Sequence, residues 1–144
     1  MSCRRTFIAQ VIVGTAAVSA VKPPALAAPA NPDPKWYMAA VEMRRLAESW
    51  GDQSYGAVLV ADGAVGGLGP SRVIKDRNPD AHAERVAILD AQRRLGRENL
   101  AGSVLYSTSR PCSFCEAAAS RAEVSRMYYG PALQDAGSPA GHAK

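Results

Sequence analysis

Apolar and polar positions along this chain change period several times, and each change marks an element. From Lys35 to Trp50, apolar side chains at Trp36, Ala39, Ala40, Met43, Leu46, Ala47 and Trp50 recur at the three-and-four spacing of an amphipathic helix, which Gly51 ends. Tyr55 to Val60 is a short apolar, β-branched run that reads as a strand. Asp62-Gly63 then signals a tight turn into a second strand at Ala64-Val65, and Gly66 to Pro70 breaks the pattern. Ser71 to Pro79 is polar and reads as a loop. Ala81 to Leu95 is helical, with Val86, Leu89 and Leu95 as core candidates, Asp80 as N-cap and Gly96 as C-cap. Ser103 to Ser107 reads as a strand, Pro111 suits the first position of a helix from Cys112 to about Ala122, and Arg126 to Tyr129 makes a last strand. From Pro131 onward no period survives, which predicts an exposed tail containing His142.

The first residues obey different rules. Arg4-Arg5, an apolar run to Val21, and small residues at Ala25-Leu26-Ala27 read as an export signal at 1–27, cleaved after Ala27. Arg4-Arg5 with Phe7, and Lys22 after the apolar run, resemble a twin-arginine signal, so the expected destination is the bacterial periplasm; a general secretory signal is the alternative. The apolar run is too short and too rich in small residues for a comfortable span, so no membrane segment is expected after cleavage. Residues 28–34 hold three prolines and read as a linker, which places the folded domain at 35–130 and the tail at 131–144.

The signal also changes the electrostatic picture. The chain carries a formal charge of +4, but residues 1–27 contain three basic and no acidic residues, so most of the excess leaves with them. The remainder is nearly neutral and lacks a basic stripe, which argues against a nucleic-acid groove and for a small-molecule partner. It is long enough for one core. Only Cys112 and Cys115 remain of the cysteines, and in an oxidising compartment a C-x-x-C pair could also be a disulfide or redox pair.

His82-Ala83-Glu84 and Pro111-Cys112-Ser113-Phe114-Cys115 carry the chemistry. A catalytic zinc takes three protein ligands from the His/Cys/carboxylate set and keeps a fourth position for water. His82, Cys112 and Cys115 supply three such donors, and both motifs fall at predicted helix starts, where the dipole favours thiolates. Glu84, two residues from His82, projects at a different angle and is the candidate proton carrier. Each residue alone has an ordinary structural reading; their joint occurrence overturns it.

H-x-E followed by P-C-x-x-C is the zinc deaminase signature, and the chain resembles the cytidine and deoxycytidylate deaminase superfamily, in particular its guanine deaminase and tRNA adenosine deaminase branch. Tyr55-Gly56-Ala57-Val58, Asp80 to Glu84 and Tyr128-Tyr129-Gly130 add to the resemblance, which runs from about Lys35 to Gly130. It implies an α/β fold, a three-layer α/β/α sandwich with a mixed sheet of about five strands, and a homodimer or larger assembly. It also implies zinc on His82, Cys112 and Cys115, proton transfer by Glu84, and a supporting amide at Ala83. Tyr55 is a ring-contact candidate by the same resemblance.

Three departures fall where substrate is chosen. Ser71 stands where the family often has a ring-binding Asn, Arg110 stands where Glu commonly precedes Pro-Cys, and the chain ends soon after Gly130, short of the element that commonly closes the pocket. The leading expectation is an exported zinc-dependent hydrolytic deaminase of a free nucleobase, nucleoside or related aminated heterocycle, guanine-like or pterin-like. Export sets tRNA aside. The competing readings are a catalytically silent zinc-binding protein of the same fold and a periplasmic thiol-disulfide protein.

Overall fold

Asp33 opens the first helix by accepting a hydrogen bond from the Lys35 amide on its side chain, and Pro34 occupies the first turn, where a missing N–H costs nothing. The computed structural model describes residues 31–139; the segment read as an export signal and His142 lie outside the described residues. Helix α1 (Pro34–Ser49) therefore begins inside the segment expected to be linker. It is followed by β1 (Gly56–Ala61), β2 (Ala64–Pro70), α2 (Ala83–Leu95), β3 (Val104–Ser107), α3 (Ser113–Arg121), β4 (Arg126–Tyr129) and β5 (Gln134–Gly137).

The strands form one mixed sheet in the order β2-β1-β3-β4-β5. β3 and β4 are parallel, joined by α3 as crossover, and the other pairings are antiparallel. Alternate residues of β1 face opposite sides. Ala57, Leu59 and Ala61 join Ala83, Ala87, Ile88 and Ala91 of α2 and Ala119 of α3 in one core, while Val58 and Val60 join Ala40 of α1, Val104, Tyr106 and Tyr128 in the other. Helices thus cover both faces, the expected α/β/α sandwich. Among the described residues no helix is long and apolar enough to cross a membrane.

Two expectations fail at strands. Gly66 to Pro70, read as a break, continues β2. Its glycines are there for close approach: a Cβ on Gly67 would overlap the Ala87 carbonyl oxygen, and one on Gly69 the Ala83 carbonyl oxygen. The tail after Pro131 contains β5, which pairs with β4 and is tied to it by the Arg126–Asp135 ion pair, with Leu133 packed on the α1-side core. Its residues carry no strand-like period because main-chain pairing and one ion pair, not an apolar face, hold it.

The tight seating of α2 also corrects its own reading. Its buried face is Ala83, Ala87, Ile88 and Ala91, whereas Leu89, expected in the core, is 58% exposed. Small side chains are what a helix pressed on glycines can accommodate. Its N-cap is His82, in extended conformation, rather than Asp80, whose carboxylate pairs with Arg85 at 3.5 Å.

Candidate active site

Both helices on the β1/β3 face start at the same place. His82 is the N-cap of α2 and Cys112 the N-cap of α3, so the loops leading into the helices deliver both motifs side by side. Cys112 Sγ accepts from the Cys115 amide at 3.4 Å, a cap that also fixes the sulfur. Pro111, expected inside the helix, precedes this cap.

The donor atoms converge. Cys112 Sγ and Cys115 Sγ lie 3.4 Å apart, and His82 Nδ1 is 3.6 and 3.5 Å from them. Such a triangle has its centre about 2.0 Å from each corner, so an ion slightly above its plane reaches the ~2.0–2.3 Å bonds that zinc makes to imidazole nitrogen and thiolate. Both cysteines are free thiols. Cys115 is fully buried, and burial, then Glu84, then Cys112, push its thiol well above the ordinary range. Thiolates and a carboxylate this close require a cation to be charged together, and a divalent metal supplies it. The residues fit zinc.

Glu84 sits on the second residue of α2 and is 5% exposed. Its Oε1 accepts from Ser107 Oγ at 2.8 Å, and its Oε2 lies 3.6 Å from Cys115 Sγ. Ser107 is buried at the end of β3 and also accepts from the Ser109 amide at 3.3 Å.

A cavity of about 420 Å³ opens onto this cluster, walled by Gln53, Tyr55, His82, Ala83, Glu84, Ser109, Arg110 and Cys112. Seven of the eight residues expected at the site thus meet here, Cys115 from beneath through its sulfur. Ser71 does not line the cavity. It is fully buried, and its hydroxyl donates to Asp52 Oδ1 at 3.0 Å. A wider groove of about 800 Å³ runs along β2 between α1 and α2, but none of the metal donors lines it.

Sequence reasoning missed Gln53, Ser107, Ser109 and Asp52. The Asp52 carboxylate accepts from the amides of Gln53, Ile74 and Lys75 at 2.7, 3.0 and 2.8 Å besides the Ser71 hydroxyl, and so pins the 72–79 loop beside the site. Burial alone would raise its pKa, but these donors outweigh burial and hold it below the usual carboxylate value. No local periodicity marks such an acceptor; Asp in a Gly-Asp-Gln turn was its only signal. Across the same loop, Lys75 and Arg72 lie over the Trp50 ring, with 4.0 and 5.6 Å to its centroid.

An α/β/α sandwich that sets one imidazole, two thiols and a buried carboxylate at two adjoining helix starts defines a class of zinc-site proteins. Within it, residues 30–131 match the cytidine and deoxycytidylate deaminase zinc-binding region, and the chain belongs to that family. It is 42% identical over 93 residues to a tRNA-specific adenosine deaminase of Agrobacterium fabrum, covering 65% of this chain and 60% of that one. A solved structure from work on tRNA:A34 deaminases superposes with a TM-score of 0.65 at 38% identity, covering 68% of this chain and 71% of the other. Guanine deaminase from Bacillus subtilis superposes with a TM-score of 0.65 at 31% identity over 69% of this chain and 64% of that enzyme.

Proposed function

We propose that the chain is a zinc-dependent hydrolytic deaminase of a small aminated heterocycle, a free nucleobase, a nucleoside or a guanine-like or pterin-like ring. The observation that carries this reading is the buried Glu84 carboxylate, 3.6 Å from the Cys115 sulfur, inside a cavity that also exposes His82 and Cys112. His82, Cys112 and Cys115 hold the zinc, which when bound makes water a competent nucleophile near neutral pH.

The remaining work belongs to the chain's own groups. Water adds to the amino-bearing ring carbon, the exocyclic C–N bond breaks, ammonia leaves, and a ring carbonyl remains. Glu84 takes a proton from the water and delivers it to the ring nitrogen, then moves the second to the departing amine. Ser107 holds Oε1, which leaves Oε2 to face the metal side. Ala83, on the cavity wall, offers one of the amides that open α2 to a ring oxygen, and Tyr55 offers its ring to the heterocycle.

The test is ammonia release by the zinc-loaded chain on guanine, adenine, cytosine, their nucleosides and pterins, beside a Glu84→Gln variant. The variant is expected to keep zinc and fold while turnover falls about a hundred- to ten-thousandfold. Full activity in it removes Glu84 from the proton path; zinc without ammonia from any substrate favours the silent zinc-binding reading.

A second reading has its own support, since relatives named tRNA-specific adenosine deaminase reach 42% identity. Against it stand the near-neutral charge beyond residue 27 and the export signal read at 1–27. Inosine formation in a tRNA anticodon stem-loop, with none of the free rings turned over, would establish it. Periplasmic location through Arg4-Arg5 is tested by fractionation of wild type and an Arg4→Lys, Arg5→Lys pair. The homodimer that the resemblance implies is tested by sedimentation of the zinc-loaded chain.

A further inference from the structure

The two cysteines of the metal cluster differ in how they can be reached. Cys112, the N-cap of α3, is half-buried and stands on the cavity wall, whereas Cys115 is fully buried beneath it. Their sulfurs are in contact at 3.4 Å, both are free thiols, and no other cysteine lies among the described residues. A reagent entering the cavity therefore meets Cys112 first, and the one thiol placed to resolve an adduct there is Cys115. An accessible first sulfur and a buried second one at a helix start is an arrangement with which C-x-x-C pairs exchange disulfides.

The same arrangement makes the metal and a disulfide mutually exclusive. Zinc needs both sulfurs as thiolates. A Cys112–Cys115 bond would consume the pair and leave His82 as the sole donor of the triangle, too few to hold the ion. The bond also needs no cation beside it. Glu84 Oε2, 3.6 Å from the Cys115 sulfur, would then face a neutral group, while Ser107 keeps its other oxygen. Closing so short a loop gains little from chain entropy, so the bond stays open to reduction.

We propose that Cys112 and Cys115 are a reversible thiol–disulfide switch on this site, thrown by small disulfides that enter the cavity. The Cys112 thiolate attacks one sulfur of the external disulfide R–S–S–R, whose S–S bond breaks and releases one RS⁻. Cys115 then attacks the Cys112 sulfur of the mixed disulfide, and the second RS⁻ leaves. Two electrons pass from the cysteine pair to the external disulfide, and the two departing thiolates balance the charge of the zinc set free. A dithiol runs the exchange backwards. The loss of turnover that follows rests on the deaminase reading; the exchange and the zinc release do not.

The experiment treats the full zinc-loaded chain with hydroxyethyl disulfide. Three quantities are followed together: zinc freed to an indicator that leaves the untreated chain loaded, the mass of the proteolytic peptide that carries both Cys112 and Cys115, and the alkylation of that peptide. Nearly all the zinc is expected to be freed, one ion per linked peptide, with the peptide lighter by two hydrogens and neither cysteine alkylated. Dithiothreitol with added zinc is expected to restore both thiols and the zinc content, and ammonia release with them.

Zinc retained with both thiols open to alkylation overturns the switch. So does zinc release that leaves an external adduct on either cysteine, links two chains, or is not reversed by dithiothreitol. Ammonia separates this inference from the reading beneath it. A chain that exchanges and releases its zinc as expected, yet yields no ammonia when reduced, retains the switch and rejects the deaminase reading; equal ammonia from the reduced and the linked chain retains the deaminase and rejects the switch.

Discussion

Gly69→Ala is expected to damage the metal site without replacing any residue that lines it. A Cβ at Gly69 would overlap the Ala83 carbonyl oxygen and lie 2.7 Å from Ala87 Cβ and 2.8 Å from the Ala87 amide nitrogen. Those are backbone atoms and a methyl stem with no rotamer to change, so α2 must retreat from the sheet by about 1 Å to restore ordinary contact. Ala83 lies between His82 and Glu84, and the donor triangle has edges of only 3.4, 3.5 and 3.6 Å. Metal bonds tolerate displacements of about 0.2 Å, so the shift exceeds what the site absorbs. Overpacking of this kind costs about 3 kcal/mol, or a drop of roughly 12 °C or more in Tm for a domain of this size. Turnover at saturating zinc is expected to fall about a hundredfold, the cost of a 1 Å misplacement. The assay is a thermal melt, zinc per chain and ammonia release on one preparation. Gly66→Ala is the control, because its Cβ would make ordinary contacts, with Leu95 Cδ1 at 3.4 Å, Ala61 Cβ at 3.5 Å and the Leu59 carbonyl oxygen at 3.7 Å. Should Gly69→Ala melt with the wild type and bind a full equivalent of zinc, the claim that α2 is seated by these glycines fails.

Three further outcomes follow from the same geometry. Cys115→Ser removes the buried donor and is expected to lower both zinc content and Tm, since the metal ties the α2 and α3 starts together; unchanged zinc in mass spectrometry of the native chain refutes the ligand set. Ser107→Ala deprives Glu84 of its 2.8 Å donor and is expected to cut kcat about tenfold with zinc retained, whereas Ser107→Thr restores much of it; equal kcat in all three makes the contact incidental. Because the Asp52 pKa is lowered on folding, its stabilisation is present above the unfolded value near 3.9 and is lost as pH falls through the lower folded value. Asp52→Asn should therefore flatten the acid limb of stability below about pH 4, and an unaltered limb in denaturant melts contradicts the loop-pin role.

Much of the site was legible because it is written in residue chemistry. His82, Glu84, Cys112 and Cys115 lie in two short motifs, and the helices that present them carry strong boundaries, Gly96 at one end and the Pro111-Cys112 start at the other. β1 and β4 were legible for a different reason: they are short apolar runs with nowhere to go but a sheet interior, and their bounds fall within a residue of those expected. What failed to show was whatever depends on a partner distant in sequence. Gly67 and Gly69 look like turn formers until α2 lies on them; Ser71 looks free to meet a ring until Asp52 takes its hydroxyl; β5 looks like tail until β4 offers its edge.

These illegible parts decide where the legible ones go. The metal donors come from two loops that nothing in their own sequence holds together, and the distances among them are set by how closely α2 and α3 pack on one face of the sheet. α2 is held by glycines of an edge strand, and the loop before it by an aspartate at the end of α1's trailing turn. Position 71 shows the consequence for specificity. Its hydroxyl is spent on the Asp52 pin, and Gln53, Ser109 and Arg110 are among the polar side chains that wall the cavity in its place. A substitution that looks like the loss of a ring contact is thus, in the folded chain, part of the support that places a different set of contacts.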